Sequence, residues 1–149
     1  MNKRIIALKG KGNSGKTTTI KLLPDILKEN GFSQVPNKHK KFGSDFRDVF
    51  IKDGLIVGVT SSGDTYDLVT KRLSELIDDD CVICICACRT FDRSEKGTIA
   101  ATKEFKEYET EYVKKTYEDD VNRQYEVNKK DAKKLMDRIL KKPNAQHSI

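Results

Sequence analysis

Apolar positions along the chain switch between a strand period and a helix period, and the switches mark a series of short elements. Residues 3–9 carry the run Ile5-Ile6-Ala7-Leu8 and read as a strand. Across residues 15–29, Ile20, Leu23 and Leu27 recur at the spacing of one helix face. Pro24 sits inside that helix, where it removes the bond to the Ile20 carbonyl and is expected to bend it. Residues 30–44 follow neither period and are expected to be a connection with at most one short strand. Phe46–Lys52 and Leu55–Thr60 flank Asp53-Gly54, a pair that accepts the positive φ angles of a type I′ turn, so a hairpin is predicted. Tyr66–Ile77 reads as a helix with Val69, Leu73, Leu76 and Ile77 on one face. Cys81–Cys88 is an unbroken apolar run and reads as a strand buried on both sides. Thr98–Tyr108 is predicted to be a third helix and Tyr112–Tyr117 a short edge strand. Asn128 is placed to cap a last helix bearing Ala132, Leu135, Met136 and Ile139 and ending before Pro143. Strands alternating with helices predict a three-layer α/β/α domain with a mostly parallel sheet of about five strands and an antiparallel hairpin near residues 46–60. No repeat or linker divides residues 1–149, so a single domain is expected.

Composition narrows the class. Mean hydropathy is −0.65, and no apolar stretch approaches the ~18–20 residues that a membrane span requires. The four apolar residues after the basic N-terminus are too few for a signal peptide. A cytoplasmic protein is therefore expected. The net charge is +6, but its placement says more. The first 41 residues hold ten Lys and Arg against two acids, a net of +8, whereas the remainder carries 19 against 21. A basic N-terminal third points to an anionic partner there, and phosphate is the simplest candidate. Nucleic acid is weakly supported, because no aromatic residues interleave those cations and Trp is absent.

Between the first strand and the first helix the chain reads Gly10-Lys11-Gly12-Asn13-Ser14-Gly15-Lys16-Thr17, a complete G-x-x-x-x-G-K-[ST] pattern. Its glycines let successive backbone N–H groups turn inward around an anion. The helix that follows aims its unpaired N–H groups and positive dipole end at the same point. Lys16 can reach β- and γ-phosphates, and the Thr17 hydroxyl is placed to ligand Mg²⁺. Four fixed positions arise by accident in roughly 1 of 200 chains this long, and the strand–loop–helix context makes accident rarer still.

At these residues the chain resembles the P-loop NTPase superfamily, and in size its small, nucleotide-kinase-like members. The close resemblance runs from Arg4 to about Leu27. It implies that Gly10, Lys11, Gly12, Asn13, Ser14, Gly15 and Lys16 wrap the phosphates of ATP or GTP. It further implies that Thr17 binds Mg²⁺ and that Thr18 touches the α-phosphate. The departure is at the second acidic motif such proteins carry at a strand end, since Val82–Ala87 runs into Cys88-Arg89 with no acid. Asp64, after Thr60-Ser61-Ser62-Gly63, is the stand-in for Mg²⁺; its other reading is the N-cap of the following helix. Ser62 is a weaker candidate. Arg89 is the first choice for a cation that stabilises the transition state, and Arg93 the second, on a loop expected at the carboxyl ends of the strands. Asp92-Arg93-Ser94 looks like the Asp-Arg pair of some nucleoside and nucleotide kinases.

Cys81, Cys84, Cys86 and Cys88 read as buried free thiols. Residues i and i+2 of a strand lie ~6.6 Å apart, whereas sulfurs around one Zn²⁺ sit about 4 Å apart, and the same spacing opposes disulfides. His39 and His147 are isolated, and Asp78-Asp79-Asp80 reads as a solvated turn. The expected function is Mg²⁺-dependent chemistry at the γ-phosphate, either transfer to a small acceptor or hydrolysis. Asp45, Asp48 and the Lys38–Lys41 stretch are the candidate acceptor contacts. The alternatives are a nucleotide-dependent switch acting on a partner protein, or a binder without turnover. No guanine-selective Asn/Thr-Lys-x-Asp motif occurs, which disfavours a GTPase switch.

Overall fold

A computed structural model describes residues 2–141, in which seven strands form one mixed sheet. In chain order the elements are β1 (Arg4–Lys9), α1 (Lys16–Glu29), β2 (Ser33–Gln34), β3 (Lys40–Phe42), β4 (Asp45–Lys52) and β5 (Leu55–Thr60). They continue as α2 (Tyr66–Asp78), β6 (Ile83–Cys88), α3 (Thr98–Thr102), β7 (Glu109–Lys114) and α4 (Val121–Leu140). The sheet order is β2-β4-β5-β6-β1-β7, with β3 also paired to β4. β5, β6, β1 and β7 form a parallel block. β4 runs antiparallel to β5 through the Asp53-Gly54 turn, whose φ angles of 49° and 82° are those of the predicted hairpin.

Alternate strand residues face opposite layers. Ile6 and Leu8 join Ile20, Leu23 and Leu27 of α1 and Leu135, Met136 and Ile139 of α4 on one face. Ile5 and Ala7 join Val69, Leu73 and Leu76 of α2 and Ala101 of α3 on the other. The expected three layers are present, with a sheet larger than expected. α1 continues unbroken through Pro24. None of the helices among the described residues is long and apolar enough to cross a membrane.

The four cysteines are buried in the α2–α3 layer as free thiols. Burial pushes the Cys88 thiol up to about 11 and the Cys81 thiol up to about 12. Because the thiolate is the nucleophile, iodoacetamide at about pH 7.5 is expected to leave all four unmodified in the native protein and to modify all four in denaturant, as read by intact mass. Rapid native labelling would contradict this packing.

Four expectations are corrected. Residues 30–44 hold two strands, because β2 and β3 each borrow the ladder of β4 rather than any apolar pattern of their own. The third helix ends at Thr102 instead of Tyr108, since the Thr102 carbonyl accepts from Thr110 Oγ1 and the Tyr108 hydroxyl turns back to the Cys81 carbonyl. The following strand is Glu109–Lys114 rather than Tyr112–Tyr117, because parallel pairing with β1 sets its register. Finally, Asp120 caps α4, accepting from Asn122 N, so Asn128 lies well inside the helix. Pro143 and His147 lie outside the described residues.

Candidate functional site

β1 sits between β6 and β7, and the chain leaves β1 through α1 on one face but leaves β6 through α3 on the other. Such a divergence opens a crevice at the carboxyl ends of the two strands. The Gly10–Thr17 segment fills its rim. Gly10 N donates to the Cys88 carbonyl at 3.1 Å, which starts the loop beside the end of β6. Asn13 (φ 59°) and Gly15 (φ 91°) take left-handed conformations that turn the chain into α1. No side chain caps α1, and no acid lies in its first turn. Its N-terminus therefore faces the crevice with its positive end uncompensated.

Lys16 curls back into this loop. Its ammonium donates to the carbonyls of Gly10 (2.7 Å) and Lys11 (2.8 Å), and the residue is buried. Burial, and then the Arg89 guanidinium, hold its pKa below the ordinary lysine value, against an opposing pull from Asp64. Ser14 Oγ donates to the same Lys11 carbonyl at 2.6 Å. The Lys11 ammonium points elsewhere, over the Tyr117 ring at 3.6 Å from its centre.

Arg89 lies against the crest of the loop, where a Cβ added to Gly12 would meet Nη1 at 2.8 Å. Its Nη2 is 3.8 Å from Asp64 Oδ1. The structure thus brings Lys16, Arg89 and Asp64 together from three separate connections. Asp64 is not the helix cap, because Thr65 Oγ1 accepts from Leu68 N. Asp64 is largely exposed, while Ser62 is buried. The likeness of Asp92-Arg93-Ser94 to a kinase Asp-Arg pair does not survive, since both Asp92 oxygens cap α3 by accepting from Ile99 N and Ala100 N. Arg93 is exposed and shares a cleft of ≈430 Å³ with Arg89, Asp64, Phe91 and Lys96.

Two parts of this region were not anticipated from the sequence. Lys115 and Asp131 form a buried ion pair at 3.0 Å beneath the loop, with the Lys115 Cβ packed against Gly10. Asn128 faces Gly15 and lines a cleft of ≈310 Å³ with Asn13, Ser14, Thr18 and Tyr125. The signal available was two polar residues, Asn128 and Asp131, lying on the same stripe as Leu135 at i, i+3, i+7.

Thr17, in the first turn of α1, and the exposed Asp64 carboxylate suit Mg²⁺, which takes few protein ligands and keeps water and phosphate oxygens. No cluster of three or more His, Cys, Asp or Glu that would hold a metal by protein alone occurs among the described residues. Of the acceptor candidates, Asp48 is buried and committed to Gln34, His39 and its neighbour Val49 N, so it cannot touch a substrate directly. Asp45 accepts from Ser61 Oγ. Lys38 pairs with Asp79, which also faces Arg47, so the Asp78–Asp80 turn is partly engaged.

No protein-family model, curated protein or solved structure matches the chain.

Proposed function

We propose that the protein binds a nucleoside triphosphate, ATP or GTP, on residues 10–18 and performs Mg²⁺-dependent chemistry at its γ-phosphate, passing the phosphoryl group to a small acceptor or to water. The observation that carries this reading is the buried Lys16 ammonium, held inside a loop that leads into an uncapped helix N-terminus at a sheet crevice. Incoming phosphate oxygens replace the two loop carbonyls as partners of Lys16, a stronger pairing because both members are charged. Thr17 and Asp64 would hold Mg²⁺, which would neutralise charge on the phosphates. Arg89, next to the loop, balances the charge that develops as the γ-phosphoryl transfers.

A panel assay with Mg²⁺ and ATP tests the reaction. A phosphorylated acceptor identifies a kinase, and free phosphate alone a hydrolase. Arg89→Ala is expected to slow turnover by about a hundredfold, the usual cost of one preorganised donor, while leaving nucleotide affinity within about threefold. Unchanged turnover removes Arg89 from the chemistry. A second reading, a slow nucleotide switch, is favoured by one observation: the Arg89–Asp64 contact links two loops, 61–64 and 89–97, beside Lys16.

A further inference from the structure

A second concave site lies on the α1 side of the sheet, about one turn along α1 from the loop that carries Lys16. It has a volume of ≈280 Å³ and is lined by Lys21, Pro24, His39, Lys41, Asp45 and Phe46. Its position follows from the topology. β4 is antiparallel to β5, so its first residues lie at the carboxyl end of the parallel block; Arg47 is opposite Thr60, and Ser61 N donates to the Phe46 carbonyl at 3.1 Å. Lys21 and Pro24 follow Thr17 at i+4 and i+7 on α1 and therefore share its face. The pocket and the proposed phosphate site thus open on the same edge of the sheet, about one helical turn (~6 Å) apart along α1.

The chemistry of the wall is cationic. Lys21 and Lys41 belong to none of the ion pairs among the described residues, whereas nearby Lys38 is paired with Asp79. His39 stacks on Phe46 with ring centres 6.2 Å apart, and its Nδ1 faces Asp48 Oδ2 at 3.0 Å. That carboxylate is 2% exposed and is fixed by Gln34 Nε2 at 2.6 Å and by Val49 N at 2.9 Å. The buried carboxylate accepts from Nδ1, so a doubly protonated ring donates Nδ1–H to Asp48 and turns Nε2–H to an anion in the pocket. The single carboxylate on the wall, Asp45, accepts from Ser61 Oγ. Two unpaired ammonium groups and an oriented imidazole, between the apolar faces of Pro24 and Phe46, match a dianionic head on a small, partly apolar body.

We propose that this pocket binds the phosphomonoester group of a small molecule through Lys21, Lys41 and His39. The assignment of that molecule as the phosphoryl acceptor rests on the nucleotide reading above; the anion site itself does not. Phenyl phosphate is a suitable probe, with phenol as its uncharged control. The chain has two histidines, His39 and His147, so the His39 imidazole resonance can be assigned by comparison with His39→Gln. Phenyl phosphate is expected to shift that resonance saturably, and phenol to leave it in place. Lys21→Met combined with Lys41→Met is expected to weaken binding by about tenfold or more, the loss of two charge-assisted contacts. An unmoved His39 resonance, an equal response to phenol, or full-strength binding by the double variant overturns the site. Triphosphate-dependent melting separates the two proposals: if it fails while the His39 resonance still responds to phenyl phosphate, the loop reading falls and this pocket stands, and the reverse result removes only the pocket.

Discussion

Lys16→Ala is expected to abolish the rise in melting temperature that Mg²⁺ and ATP produce in the native protein. A ligand at about 100 times its Kd stabilises the folded state by about 2.7 kcal/mol. For a chain of this size that corresponds to a shift of about 5–10 °C. In the variant the loop is expected to keep its shape but lose the ammonium that points into it, and the shift is expected to vanish. The unliganded variant is expected to melt close to the native protein. The Lys16 charge is buried and meets only two carbonyl oxygens, so desolvation offsets much of what those hydrogen bonds contribute. The same burial gives a pH dependence with a definite sign. The free protein holds Lys16 below its ordinary pKa, whereas phosphate charge favours the protonated form. Binding therefore takes up a proton as pH rises through the lowered value, and affinity falls there by up to about tenfold per pH unit. Calorimetry in two buffers of different ionisation heat measures that uptake. An undiminished melting shift in Lys16→Ala would falsify the loop as the nucleotide site.

Features written in neighbouring residues were legible in the sequence. Asp53-Gly54 specified its turn because two positive φ angles are a local demand. The stripes Ile20-Leu23-Leu27 and Val69-Leu73-Leu76 specified their helices because burial of one face repeats every turn. Features created by distant pairing were hidden. Ser33–Gln34 and Lys40–Phe42 carry no apolar alternation and become strands only beside β4. Phe105 and Tyr108 continue a helical pattern from Ile99, yet the Tyr108 hydroxyl bonds to the Cys81 carbonyl and the backbone turns away. Asn128 precedes an apolar stripe and has a capping side chain, but seven more helical residues precede it and carry too little apolar periodicity to be noticed. At the site, Lys16, Arg89 and Asp64 could be nominated from their own loops. Arg89's position over Gly12, and Thr65 rather than Asp64 as the cap, depended on the path of the chain.

Asp131→Ala is expected to be the most destabilising substitution beneath the loop. Its carboxylate is 3.0 Å from the Lys115 ammonium, and both side chains are 1% exposed. It also accepts from Thr116 N at 2.8 Å and Thr116 Oγ1 at 3.1 Å, tying the start of the β7–α4 connection to α4. Removing one member of a buried pair leaves the other charge without compensation, at a cost of about 3–5 kcal/mol. Against a total stability of about 5–15 kcal/mol, that is expected to lower the melting temperature by at least about 6 °C. The consequence reaches the site because the Lys115 Cβ packs on Gly10 and its backbone N–H donates to the Lys9 carbonyl at 2.7 Å. A displaced Lys115 shifts the base of the loop, so ATP affinity is expected to fall together with stability. Lys115→Met in the Asp131→Leu background removes both charges and is expected to recover most of the loss. The recovery is incomplete because Thr116 N–H remains unpaired, a residual cost of about 1–3 kcal/mol. Urea denaturation of Asp131→Leu, Lys115→Met and the double variant measures the coupling. If Asp131→Ala costs less than about 1 kcal/mol, the pair is not the support under the loop, and the alignment of Gly10 must come from the ladders of β1 with β6 and β7.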